Sequence, residues 1–203
     1  MLGSVFLAGA ILVAVPGLDV ANEMFGTISA EVEARQTYVM ATVNLWIDPN
    51  GSIVECRNGR AVGTQEIAAG FCSMLLGRQI DKPRDEHGRQ TYAYVPYTMS
   101  GFANSRMPQS NAVIDALLAT PNVGDPDERL PVSHPSVVDG TRFFIELSIA
   151  ADGSVTACER SKGLPRRLVA LACAAARERT FAVRTASGQP VAYVRTVRLV
   201  ASS

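Results

Sequence analysis

The sequence holds two histidines, His87 and His134, no Cys-x-x-Cys pair and no excess charge of either sign, with Lys+Arg and Asp+Glu each totalling 19. Each shortage removes a class of function. Both histidines stand in polar loops away from any serine or cysteine motif, so no nucleophile–base pair is legible and the chain is expected not to be an enzyme. Asp85-Glu86-His87 reads as a solvated turn. Four cysteines without paired CxxC-like spacings do not make a zinc site, and no cofactor or metal is expected. The balanced charge gives no general attraction to nucleic acid or lipid, and there is no basic stripe interleaved with aromatics, so no nucleic-acid partner is expected. The longest apolar run, residues 5–15, breaks at Pro16-Gly17 and is too short to span a bilayer.

That run has the length of a signal-peptide core, and export is the reading adopted for it. No Lys or Arg precedes Arg35, so the usual positive flank is missing. Val15-Pro16-Gly17 and Ile28-Ser29-Ala30 are usable cleavage sites. An uncleaved membrane-associated helix and a buried helix of the mature fold stand as alternatives.

What the sequence does contain is an internal repeat. Residues 41–56 and 143–158 align without a gap at an offset of 102. Val43, Leu45 and Ile47 match Ile145, Leu147 and Ile149, Gly51-Ser52 matches Gly153-Ser154, and Cys56 matches Cys158. The match runs on through Cys72 and Cys173, Gly88 and Gly188, and Ala93-Tyr94-Val95 against Ala192-Tyr193-Val194. In each copy the alternating apolar residues predict a half-buried strand, with Thr42, Asn44 and Trp46 on the other face. Pro49-Asn50-Gly51 and Ala151-Asp152-Gly153 supply a hairpin turn. A helix follows, capped by Thr64 in copy one and opening at Leu164-Pro165 in copy two. Residues 91–99 and 191–200 form a closing strand. The expected fold is α+β: two tandem small ββαβ domains, each a three-stranded antiparallel sheet with one helix packed on it. The boundaries are 1–30 for the leader or short hydrophobic segment, 31–101 for copy one, 102–135 for a linker with a short helix near 111–118, and 136–203 for copy two. Residues 141–203 carry ten basic and four acidic side chains, a net charge of +6, which suits either an acidic partner or a solvated surface.

Cys56 and Cys72 lie 16 apart, and Cys158 and Cys173 lie 15 apart. Each pair joins the second strand to the helix of its own copy, so the repeat suggests pairing within copies, with buried free thiols as the alternative. A disulfide closing a loop of about 15 residues would stabilise an exported small domain by about 3 kcal/mol in the chain-entropy model.

Strand, Asx-Gly-Ser hairpin, strand, amphipathic helix and closing strand together resemble the C-terminal domain of TonB energy transducers, twice over. The cysteine-bearing version is similar to TonB-family proteins of alphaproteobacteria. The resemblance implies a periplasmic domain that adds extended peptides of outer-membrane TonB-dependent receptors, or of other envelope proteins, to its exposed closing strand. In copy one that strand is interrupted by Pro96. Copy two is therefore the expected partner-binding edge, through Val191, Tyr193, Arg195, Val197 and Leu199. The chain departs from true transducers in having no long Pro-rich spacer and no histidine in its apolar segment, so membrane attachment and energy coupling do not follow from the likeness. The alternative function is a structural tandem whose closing edges pair with each other and leave no peptide site.

Overall fold

The computed structural model describes residues 11, 13, 18–102, 129–133, 143–160 and 166–202. The expected helix near 111–118 and the Leu164-Pro165 helix start lie outside them. In chain order the elements are α1 (Leu18–Ala34), β1 (Tyr38–Ile47), β2 (Ile53–Gly63), α2 (Gln65–Ala69), α3 (Phe71–Leu75) and β3 (Tyr92–Phe102). There follow β4 (Arg129–Ser133), β5 (Phe143–Ile149), β6 (Val155–Arg160), α4 (Arg166–Arg177), β7 (Arg184–Ala186), β8 (Gln189–Val191) and β9 (Tyr193–Ser202).

The α+β class holds, but the two copies are not separate three-stranded domains. They share one seven-stranded sheet of order β2-β1-β3-β9-β5-β6, with β4 paired to β9 beside this path. The join is parallel and short: Tyr92, Ala93 and Tyr94 lie beside Tyr193, Val194 and Arg195. Beyond it β4, drawn from the expected linker, pairs in parallel with Arg198–Ser202. Its Pro131 is exposed and its Leu130 and Val132 are buried, which suits a proline on a strand with a partner on one side only.

A parallel join turns copy two over relative to copy one, so the two copies cover opposite faces of the sheet. Val43, Leu45 and Ile47 pack with Ile67, Phe71 and Leu75 in a first core that also takes Val194 from copy two. Ile145, Leu147 and Ile149 pack with Leu168, Ala172 and Ala176 in a second core that takes Trp46 and Tyr94 from copy one. Each repeat therefore completes the core of the other. For this reason β1 is not half-buried as expected: Thr42, Asn44 and Trp46 are as hidden as their neighbours.

The repeat also needs a one-residue correction. Ile47 faces Ala93 across the β1–β3 pair, and Ile149 faces Tyr193 across β5–β9. Ala93 thus corresponds to Tyr193, an offset of 100, and the similarity of the two Ala-Tyr-Val runs is out of register by one. One residue of slip exchanges the two faces of a strand.

Both hairpins close as expected around a glycine of positive φ, Gly51 at 88° and Gly153 at 89°. A Cβ at either would strike the carbonyl oxygen of Ile80 or Phe181, because the chain returning from the helix donates to the turn: Ile80 N–H to Gly51 O at 2.8 Å and Phe181 N–H to Gly153 O at 2.9 Å. The single helix expected from Thr64 is instead two short ones meeting at Gly70. Thr64 makes no side-chain cap; its hydroxyl lies 2.7 Å from that of Thr37. Finally, α1 covers part of the first face, burying Ile28 and Val32, and the isolated residues Ile11 and Val13 are buried in the same core. The expected leader boundary at residue 30 falls inside this helix. No helix among the described residues is long and apolar enough to cross a membrane.

Candidate functional site

The disulfides form within each copy, Cys56–Cys72 with Cα atoms 5.3 Å apart and Cys158–Cys173 with 5.6 Å. Each ties the second strand of a copy to its helix, and no cysteine is free.

The residues expected to form a peptide-receiving edge lie inside the sheet instead. β9 has β5 on one side and β3, then β4, on the other, so its backbone groups are already engaged where an incoming strand would need them. Val191 belongs to β8, opposite Arg184. Tyr193 is buried in the second core and donates its hydroxyl to Ala182 O at 2.8 Å. Arg195 is 0% exposed, its guanidinium 5.3 Å from the centre of the Tyr94 ring and 5.6 Å from that of Phe181. Val197 is buried, and Leu199 pairs with Phe143 on one side and Leu130 on the other. The basic end of the chain is thus spent partly on the interior: Arg195 and Arg198 are buried, and the Arg184 guanidinium sits 3.8 Å from the centre of the Tyr94 ring, within cation–π range. The signal for an internal strand was present in β9 itself, where Tyr193 and Val194 put large apolar groups on opposite faces in succession.

The join is an aromatic box. Trp46 stacks on Tyr92, with centroids 5.1 Å apart and planes 7° from parallel, and meets Tyr193 edge-on at 5.6 Å. Stacked and edge-on pairs of this kind add about 0.5–1.5 kcal/mol each beyond their buried area.

A cavity of about 360 Å³ lies under residues 85–91, floored by β5, β6 and β9. Asp85 organises its rim, accepting the His87 and Arg89 N–H groups at 2.9 Å each and the Arg89 guanidinium at 2.8 Å. Burial pushes the Asp85 carboxyl up, but these Arg89 and His87 hydrogen bonds outweigh it and hold the pKa below its ordinary value. The turn expected at residues 85–87 forms this rim with His87 exposed to solvent, its Nε2 3.6 Å from Glu86 Oε1. Ser148 lines the floor. Among the described residues no three His, Cys, Asp or Glu side chains are grouped to hold a metal ion.

No protein-family model, no curated protein and no solved structure matches the chain.

Proposed function

We propose that this is a non-enzymatic envelope protein, exported to the periplasm and oxidised there, whose two TonB-like repeats serve as one structural unit rather than as a peptide clamp. The observation that carries this reading is the engagement of β9 on both sides: β5 pairs with it on one, and β3, over Tyr92–Tyr94, and then β4 on the other. A strand edge recruits a peptide only while its N–H and C=O groups lack partners. Two disulfides support an oxidising compartment, where such bonds persist.

Peptide capture of the kind the TonB resemblance implies retains one opening. Among the described residues β6, β2, β4 and the part of β3 beyond Tyr94 each have a strand neighbour on one side only. Amide-shift titration of the oxidised full chain with extended peptides from the N-terminal plugs of the host's outer-membrane receptors separates the two readings. The structural unit predicts unchanged spectra at millimolar peptide. Saturable shifts confined to β6, β2, β4 or Val95–Phe102 of β3 would replace it with an adaptor, and shifts along β9 would require the sheet to open. Mass analysis of unreduced protein from a periplasmic extract, expected to be four hydrogens lighter than the reduced chain, tests the compartment.

A further inference from the structure

The two faces of the sheet are filled unequally. By the strand registers, Trp46 opposite Tyr94 corresponds to Ser148 opposite Val194, so Tyr92 corresponds to Ala192 and Tyr193 to Ala93. On one face, then, three aromatic side chains fill the space beside the join; at the equivalent places on the other stand a serine and two alanines. The cavity of about 360 Å³ beneath residues 85–91 lies there, with Ser148 and Ala192 in its wall.

The space is not merely apolar slack. Ser148 is 4% exposed and its hydroxyl has no hydrogen-bond partner. Glu86 Oε2, also in the lining, is buried without a partner as well. Leaving such groups unmet is costly, more so for a charge, so both favour a ligand that donates to them. The Arg89 guanidinium is committed to Asp85, which leaves Glu86 as the carboxylate the rim's arginine does not engage. Ala150, Ala151 and Ala192 give one part of the wall small apolar groups, with Thr91, Thr156 and His87 among the rest of the lining. Volume and lining fall in the range of small-molecule sites.

We infer that this cavity binds a small organic cation, an ammonium or guanidinium on a flat apolar body, with Glu86 and Ser148 receiving the charged head and the alanine wall the body. The inference does not rest on the structural reading above, since the cavity lies on the floor of the sheet and not at a strand edge.

Tryptamine, whose indole matches the group that fills the opposite face, is the probe. Titration of the oxidised full chain, followed by amide shifts and calorimetry, should give saturable binding with shifts at Glu86, Ser148 and Ala192. Neutral 3-methylindole should bind at least tenfold more weakly, and indole-3-acetate not at all. Glu86→Gln should weaken tryptamine at least tenfold without moving the melting temperature, and Ser148→Trp, which restores the missing indole, should abolish binding of all three. Should Ser148→Trp fail to fold, Glu86→Gln still decides. Equal affinity for the cation and the anion, or unaltered tryptamine binding by Glu86→Gln, would overturn the assignment, as would unchanged spectra at millimolar tryptamine, which would make the cavity a solvent pocket.

Discussion

At the scale of single residues, the glycines in the hairpin turns carry more than a turn. Gly51 and Gly153 combine positive φ with a carbonyl oxygen where a Cβ would sit. Gly153→Ala should therefore destabilise by about 1–3 kcal/mol from the backbone alone, and further from the displaced Phe181 carbonyl, measurable by denaturant unfolding. Glu146 illustrates the opposite kind of cost. It lies across from Glu159 in the β5–β6 pair, and burial first, with repulsion from Glu159 second, raises its pKa above the ordinary 4.5. Because the folded state holds this proton more tightly than the unfolded one, its contribution is most favourable below the ordinary value and is lost as pH rises through the shifted one. Glu146→Gln should thus melt higher than the parent at pH about 7 and equally at pH about 3.5, so the difference between the two melting curves grows with pH. Gly51, Gly153 and the cysteines were legible in the sequence because each has a chemistry few other residues share. Glu86 and Ser148 were not, since a glutamate and a serine signal nothing until the strand registers bring them to one cavity.

At the scale of elements, local pattern served well and pairing poorly. The hairpins Ile47/Ile53 and Ile149/Val155 follow from alternation and turn chemistry, which act over a few residues. The join of β3 to β9 rests on three residue pairs separated by about a hundred positions, too short to leave a period. The two Ala-Tyr-Val runs misled by one residue: Tyr94, aligned there with Tyr193, corresponds to Val194 by strand register. β4 was missed because Pro131 reads as loop, although a proline is acceptable on a strand paired along one side. The disulfides, by contrast, staple second strand to helix as the repeat suggests. Replacing Cys158 and Cys173 together with serine should cost about 3 kcal/mol in equilibrium unfolding, and Cys56 with Cys72 a similar amount. A much smaller loss would mean that the reduced chain retains structure around the same contacts.

At the scale of the whole molecule, the exchange of core residues makes the repeats interdependent. Trp46 and Tyr94 sit in the core built on α4, and Val194 in the core built on α2 and α3. Trp46→Ala should cost about 3–5 kcal/mol and lower the stability of both copies together, giving one calorimetric transition for the full chain before and after substitution. Two resolved transitions would show that the copies unfold as independent units. Residues 31–101 produced alone should bind a hydrophobic dye and lack a cooperative melt, since the Trp46 face would then lie open to water.

The parallel join has a further effect, which belongs to time rather than to stability. Tyr92 and its neighbours are made about a hundred residues before the strand they pair with, and an aromatic face awaits its cover until β9 arrives. Closing so long a loop is slow compared with forming either hairpin. A chain that folds as it emerges therefore passes through a stage with one repeat shaped and one face uncovered. During that stage a chaperone, or a neighbouring copy offering the same β9, competes for the place the chain's own β9 is meant to take.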